Sequence, residues 1–174
     1  MNTTPRHPLG RITHDDRGVS LHFERQLSHP PERVWRALTE SDQLRSWFPA
    51  DIVGPREAGA EVTTVFWDDV AARHSIEQTV HPARIITWDP YRTFVWLWDD
   101  ELISFHLEPT PSGTTLTLVV QVGEKSPGAQ DVAAGYHVCL DQLVALVDTD
   151  DPPPFLDADP GPLTVLYAEM MHEQ

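Results

Sequence analysis

The chain has 174 residues, 40% of them apolar, which fits one domain around one hydrophobic core. Its 27 acidic residues outnumber its 12 Lys and Arg residues, and the resulting formal charge of −15 argues against nucleic acid and anionic membranes as partners. Because Cys139 is the single cysteine, an internal disulfide and a cysteine-based zinc site are both excluded.

The polar N-terminal residues 1–9 are expected to be flexible, and they lack the apolar core of a secretion signal. No run of the sequence approaches the ~20 apolar residues that a membrane-spanning helix needs. We therefore expect a cytoplasmic protein. The first secondary-structure pattern comes at Val19–Leu27, where apolar and polar residues alternate as in a half-buried strand.

Two short helices are predicted after this strand. Pro31 opens the first, since proline is tolerated in a helix's first turn, where N–H groups lack intrahelical partners. Ser41 caps the second, and Pro49 helps to end it. We expect the pair to close one end of a cavity with the apolar side chains Val34, Trp35, Leu38, Leu44, Trp47 and Phe48.

Six further segments predict strands, because each is rich in β-branched and aromatic residues and is bounded by Asp, Pro or Gly. Their short connections favour an antiparallel meander. The polar segment Asp68–Ser75 is expected to form a loop beside the mouth of a cavity. The predicted strands are Glu61–Trp67, Ile76–Val80, Arg84–Trp88, Arg92–Trp98, Leu102–Glu108 and Thr114–Val122.

The last three strands each have one apolar face, because successive residues of a strand point to opposite sides. A covering element follows at Ala129–Val147, whose apolar residues recur at three- and four-residue spacing, as in a helix lying on a sheet. The strand residues expected to face this helix are Phe94, Trp96, Trp98, Ile103, Phe105, Leu107, Leu116, Leu118 and Val120.

A polar, proline-rich linker is predicted over residues 148–161, followed by a terminal helix over 162–172 that packs back on the domain. Residues 10–174 are therefore predicted to form one α+β domain. Its curved antiparallel sheet wraps around the long C-terminal helix, and two short helices follow the first strand.

Five groups of residues occur in order along nearly the whole chain. They are Pro31-x-x-Val-Trp-x-Ala-Leu-Thr39, Trp47-Phe-Pro-Ala50, Asp89-Pro-x-Arg-x-Phe-x-Trp96, Phe105-x-Leu-Glu-Pro109 with Gly113-Thr-x-Leu-x-Leu118, and Gly135-Tyr-His-Val-Cys-Leu-Asp141. In this order they resemble the bacterial SRPBCC superfamily, in the branch related to the C-terminal domain of the activator of the heat-shock-protein-90 ATPase. The resemblance implies the helix-grip fold, in which a sheet and a long helix enclose a hydrophobic cavity.

The resemblance implies less about function, since the superfamily includes lipid carriers, plant hormone receptors, polyketide cyclases, oxygenase domains and co-chaperone domains. Our leading hypothesis is that a small hydrophobic molecule binds between the sheet and the C-terminal helix. Ordinary core packing explains the same aromatic side chains equally well. The candidate ligand-binding residues are Trp47, Phe66, Phe94, Trp96, Trp98, Phe105, Tyr136 and Leu140.

The best polar candidates lie on the long helix. His137 and Asp141 are one turn apart, so the carboxylate can orient the imidazole as a base, and a surface ion pair is the plainer interpretation. Tyr136 can place its hydroxyl in the cavity. Cys139 is interpreted as a small buried side chain rather than a nucleophile.

Two carboxylate-rich segments, Asp68-Asp69 and Asp99-Asp100-Glu101, follow tryptophans and precede changes of direction. We interpret both as turn residues rather than acid–base pairs, because neighbours on a strand point to opposite faces. No catalytic residue, metal ligand or cofactor is predicted.

Two alternatives stay open beside ligand binding. The family name implies a protein-interaction domain associated with chaperones and stress response. A polyketide cyclase or aromatase-like enzyme would need a titratable group inside the cavity, and Glu77, His106 and His137 are the candidates. The expected partners are a small hydrophobic molecule or a protein, and the chain is expected to be a monomer or a homodimer.

Overall fold

The computed structural model of the protein describes residues 4–124 and 126–173. Its main feature is one antiparallel sheet. Eight strands form this sheet in the described part of the chain. They are β1 (Arg11–Asp15), β2 (Gly18–Leu27), β3 (Ala50–Val53), β4 (Glu61–Phe66), β5 (Val80–Asp89), β6 (Thr93–Trp98), β7 (Glu101–Thr110) and β8 (Gly113–Gln121). The helices of the described ranges are α1 (Pro31–Thr39), α2 (Ser41–Trp47), α3 (Asp68–His74), α4 (Ala129–Thr149) and α5 (Gly161–His172).

The strands follow the order β1-β2-β8-β7-β6-β5-β4-β3, and every neighbouring pair is antiparallel. From β3 to β8 the chain runs as a meander, and β8 then pairs with β2. The predicted antiparallel meander is therefore confirmed. The curved sheet wraps around α4, as the predicted helix-grip fold requires.

The inner face of the sheet supplies most of the core. Along β7, buried residues alternate with more exposed ones, so Ile103, Phe105 and Leu107 face inward together. The same pattern runs along β8. The predicted inward parity is confirmed, and the buried stripe of α4 covers this face, including Ala133, Tyr136, Leu140, Leu143 and Val147.

Three strand predictions need correction. The short strands β1 and β3 lie at the two edges of the sheet and were not predicted. Ile76–Val80 and Arg84–Trp88, expected as two strands, give way to the single strand β5, which starts at Val80. Pro82 does not interrupt β5. It lies near the start of the strand, before Ala83, which is the first β5 residue to pair with β6, and proline is tolerated at such a position.

Asp68–Ser75 is not a loop, because residues 68–74 form the helix α3. Two acidic residues, Asp68 and Asp69, lie in its first turn, while Arg73 and His74 lie in its last turn. This charge order is favourable with respect to the helix dipole. The Asp68-Asp69 pair therefore begins a helix rather than forming a turn, and Ser75 ends the helix in the left-handed region at φ 53°.

The terminal helix α5 packs along α4 and buries Leu163 and Tyr167. Between these helices a single 3-10 turn spans Phe155–Asp157 inside the predicted linker. The predicted flexible segment 1–9 is described from Thr4 onward, and there His7 Nδ1 lies 2.7 Å from Asp141 Oδ1. Among the described helices, none has the length and apolar content to span a membrane.

Candidate ligand cavity beside helix α4

A cavity of about 330 Å³ lies between the end of the β6–β7 hairpin and the first half of α4. Most of its lining side chains are apolar. The sheet contributes Phe66, Trp98 and Glu101; α3 and its following segment contribute Val70, His74 and Ile76; α4 contributes Val132, Gly135, Tyr136, Val138 and Cys139; and the α4–α5 segment contributes Phe155, Ala158 and Pro160.

Gly135 helps to explain why space remains here. It lies in the interior of α4, two turns from its start, where glycine costs roughly 0.5–1 kcal/mol relative to alanine. A Cβ atom built at Gly135 would meet no heavy atom within 4 Å. The missing side chain therefore leaves open volume against the cavity without any local crowding that would demand glycine.

One carboxyl group lies in this largely apolar wall. In the β6–β7 register Glu101 is directly opposite Trp98, beyond the turn at Asp99, which has a positive φ of 50°. The Tyr136 hydroxyl donates a hydrogen bond of 2.5 Å to Glu101 Oε1. The Ser126 hydroxyl donates one of 3.1 Å to Glu101 Oε2.

Burial sets the protonation behaviour of these groups. Desolvation raises the pKa of Glu101 above its usual value, although the hydrogen bonds from Tyr136 and Ser126 oppose the shift. Burial, together with the nearby Glu101 charge, raises the pKa of Tyr136 well above its usual range. Burial also raises the pKa of Cys139 to about 12, so this thiol stays protonated and is not an activated nucleophile.

The comparisons with known proteins place this geometry in a family. The family model described as activator of Hsp90 ATPase homolog 1-like protein matches residues 28–148. This chain belongs to that family. The matched range contains α1 through nearly all of α4, and it ends before the linker that contributes Phe155 to the cavity. The predicted SRPBCC relationship is thereby confirmed.

Solved structures support the same fold. The conserved protein of unknown function EF2215 from Enterococcus faecalis aligns over 94% of this chain and 91% of its own, with 22% identity and a TM-score of 0.76. BPP1335 from Bordetella parapertussis aligns over 86% and 84%, with 24% identity and a TM-score of 0.69. DynU16, from the dynemicin biosynthetic locus, aligns over 76% of this chain and 48% of its own, with 18% identity and a TM-score of 0.62. None of the curated proteins matches the chain.

Within this member of the activator-like family, the eight predicted ligand-binding residues fall into two groups. Phe66, Trp98 and Tyr136 line the cavity. The other five are almost fully buried in the core and do not line it, namely Trp47, Phe94, Trp96, Phe105 and Leu140.

The five core residues pack against one another and against neighbouring helices. Phe94 stacks on Trp96 at a centroid distance of 6.1 Å and on Phe105 at 6.3 Å. Trp47 contacts Phe105 edge to face, and its indole N–H donates to the Ala37 carbonyl at 2.7 Å. In this part of the molecule the sheet and the short helices α1 and α2 fill the interior, so these aromatic side chains are covered by other protein atoms.

His137 and Asp141 lie close together as predicted, but the prediction that they pair at the surface is wrong. His137 is fully buried, because α5 covers this side of α4 and brings the Tyr167 hydroxyl to 2.8 Å from His137 Nδ1. His137 Nε2 lies 3.6 Å from Asp141 Oδ1. Burial lowers the pKa of His137 to about 4, with a further lowering from Arg25 and an opposing effect from Asp141. This polar cluster lies outside the cavity wall.

None of the three titratable candidates for an enzyme lies in the cavity wall. Glu77 and His106 are exposed, and His106 occupies an outward position of β7 beside Glu108. Instead the cavity wall contains Glu101, which begins β7 and is therefore not the turn residue that its sequence context predicts. Strand parity indicates this position, because Glu101 shares the odd numbering of Ile103, Phe105 and Leu107.

Proposed function

We propose that this protein binds a small hydrophobic molecule in the cavity beside α4. The observation that carries the proposal is a cavity of about 330 Å³ with apolar and aromatic walls and one hydrogen-bonded carboxyl group. Pockets of this kind, mostly apolar with a few placed polar groups, are typical of small-molecule sites. The fold shared with the family supports the proposal, since it places a sheet and a long helix around an interior space.

The walls fit a ligand with a flat or aliphatic body. Phe66 and Trp98 lie 5.4 Å apart between ring centroids, with their planes inclined by 53°. Both are only partly buried, so aromatic surface stays available for contact. Affinity would come mainly from apolar burial, at roughly 25 cal/mol for each Å² removed from water. Such burial favours hydrophobic molecules without fixing one chemical identity.

A fluorescence titration with Nile red, a neutral hydrophobic dye, tests the proposal. In Gly135→Leu a branched side chain enters the open volume, so we expect dye affinity to fall by about tenfold or more. Gly135→Ala is the matched control, because its single methyl group keeps helix geometry and leaves most of the space. Equal dye binding by both variants and the original protein would place the dye elsewhere and contradict the proposal.

Native mass spectrometry of protein purified from its own source gives a second test. We expect a recurrent bound mass that denaturing extraction releases as a hydrophobic compound. A protein free of bound molecules, combined with no dye binding, would instead favour the protein-interaction alternative that the family name suggests. An enzyme of the cyclase type would require turnover that depends on Glu101, the cavity carboxyl group.

A further inference from the structure

Glu101 indicates which polar group a cavity ligand carries. Its Oε1 accepts the hydrogen bond of Tyr136, and its Oε2 accepts that of Ser126. A hydroxyl group has a single proton to donate, so both protons are directed at the carboxylate. The unused capacity of this three-residue cluster consists of oxygen lone pairs, which are acceptors. A ligand group that meets the cluster must therefore donate.

The charge of Glu101 has no cationic partner in the described cavity wall. No Lys or Arg side chain is among the described residues that line it, and its one imidazole belongs to His74. Partial removal of a carboxylate from water without a counter-charge is unfavourable, and a bound cation offsets that cost. The neutral Tyr136 phenol supplies a hydrogen bond and no positive charge.

A neighbouring concavity extends the acidic character beyond Glu101. It encloses about 420 Å³ and shares five wall residues with the cavity, including Phe66, Trp98 and Glu101. Its further wall contains Asp99, Asp100 and His81, and His81 Nδ1 lies 2.8 Å from Asp99 Oδ2. Glu101 thus lies where the apolar cavity meets this concavity, in which the Asp99 carboxylate is already paired with His81.

We propose that the cavity selects hydrophobic amines, with the apolar body among the aromatic walls and the protonated amino group donating to Glu101. This inference rests on the proposed function and adds the chemical class of the ligand. Trp98 is directly opposite Glu101 in the sheet and lines the same cavity, so an aromatic side chain lies beside the position proposed for the amino group. A ligand carboxylate would face an acceptor-only, negatively charged cluster, so the site disfavours it.

Three compounds of one shape test the inference by isothermal titration calorimetry at pH 7.5. They are 4-phenylbutylamine, 4-phenylbutan-1-ol and 4-phenylbutanoate. We expect the amine to bind about tenfold more tightly than the alcohol, and the carboxylate to bind more weakly than both. Equal binding of amine and alcohol, or preference for the carboxylate, would overturn the inference.

Matched variants separate a local contact from the general attraction of an acidic protein for cations. Glu101→Gln keeps an acceptor for Tyr136 and removes the charge, so amine and alcohol should then bind within about threefold of one another. Glu169→Gln removes the same charge from the exposed side of α5 and should preserve the amine preference. Loss of the preference in both variants would make it a net-charge effect and overturn the inference.

A pH series provides a readout that does not depend on a substitution. Protonation of Glu101 removes the charge, so amine affinity should fall on acidification through a pKa above 4.5 while alcohol affinity changes little. His74, His81, Asp99, Asp100 and Tyr136 face the same region, and Glu101→Gln reports their combined background. An identical pH profile for the amine in the original protein and in Glu101→Gln would contradict the assignment to Glu101.

Nile red distinguishes this inference from the proposed function on which it rests. Binding of the dye and the alcohol without preference for the amine would sink only the amine inference. Absence of binding by the dye and by all three compounds would sink both. Lys125 precedes Ser126 in sequence and lies outside the described residues, so Lys125→Gln is also tested. Amine preference that arises only in that variant would overturn the inference, because the chain's own ammonium group would then occupy the position.

Discussion

Tyr136 and His137 are neighbours on α4, yet their polar groups lie in two differently built environments. The His137 side is closed, because α5 places Tyr167 against the imidazole and the Gly10 N–H donates to the same phenol oxygen at 2.8 Å. The Tyr136 side is open, because its hydroxyl reaches a carboxylate that borders empty space. We call these the closed side and the open side of α4.

The difference separates structural from functional polar groups. On the closed side the chain places polar and charged groups against one another, including His7 and Arg25 near Asp141 at 2.7 and 3.8 Å, although His137 Nε2 and Arg25 Nη2 have no hydrogen-bond partner among the described residues. On the open side the polar cluster retains unused acceptors and a volume beside them. A buried polar group whose partners come from the chain stabilises the fold, whereas one that faces a cavity is available to a ligand.

The largest contrast is expected between two tryptophans of β6 that share one face of the sheet. Trp96 is 1% exposed in the packed core, so Trp96→Ala should lower the free energy of unfolding by about 3–5 kcal/mol. Trp98 borders the cavity and is only partly buried, so Trp98→Ala removes less buried surface and should cost about 1–2 kcal/mol. Urea unfolding measures both. Equal losses would erase the distinction between packed core and open cavity.

The contributions of the two sides to folding stability should also change with pH in opposite directions. On the closed side the folded pKa of His137 is about 4 against an ordinary 6.5, so the folded state resists protonation and stability falls as pH drops from 6.5 towards 4. Allowing for screening, we expect a loss of about 2 kcal/mol over this range. His137→Asn retains an acceptor for Tyr167 and should flatten the pH dependence of urea unfolding. An unchanged slope in that variant would show that His137 does not cause the pH dependence.

On the open side burial raises the pKa of Glu101 above 4.5, so protonation favours the folded state. Its contribution to stability is present below pH 4.5 and is lost as pH rises through the raised pKa. Glu101→Gln should therefore be more stable than the original protein at pH 8 and should lose this part of the pH dependence. Thermal unfolding across pH measures the difference, and a less stable variant at pH 8 would show that the carboxylate is needed for folding.

A smaller contrast is expected from two tyrosine hydroxyl groups. Tyr167→Phe leaves the Gly10 N–H and His137 Nδ1 without their shared partner in a buried place, and it should cost about 1–3 kcal/mol. Tyr136→Phe exposes Glu101 to water that can enter the cavity, so it should cost less than about 1 kcal/mol. Calorimetric unfolding of the two variants compares them directly. The reverse order would mean that the open side carries the structural hydrogen bond.

The smallest effect is expected at Gly135, and it has the opposite sign. Gly135→Ala adds a methyl group that meets no atom within 4 Å and lowers the entropy of the unfolded chain. It should stabilise the protein by about 0.5–1 kcal/mol in urea unfolding. Destabilisation would show that the space beside Gly135 is smaller than the cavity geometry indicates.

Much of this fold was predictable because its long elements carry strong periodic patterns. The apolar alternation of β6, β7 and β8 and the stripe of α4 indicated the sheet and its covering helix. The edge strands β1 and β3 have four or five residues, too few for a clear alternation. The helix α3 has seven residues and a polar sequence, so its pattern was equally weak.

The cavity was harder to predict than the fold, for a physical reason. A period of two shows that Phe94, Trp96 and Trp98 point to one side of the sheet, but it does not show which of them meets another side chain and which meets space. That depends on where α3, α4 and the linker residue Phe155 come together. Glu101 could have been found from its parity, because an acidic residue at an inward position needs an explanation.

The hydrogen bond between Gly10 and Tyr167 also has a consequence for the kinetics of folding. It joins positions 157 residues apart, so its formation follows the closure of almost the whole chain into a loop. Contacts of such long range are costly to establish early and are expected to form after the folding barrier has been crossed. Loss of the Tyr167 hydroxyl should then leave the folding rate nearly constant and accelerate unfolding. The Tyr167 hydroxyl would therefore lengthen the lifetime of the folded state by slowing unfolding.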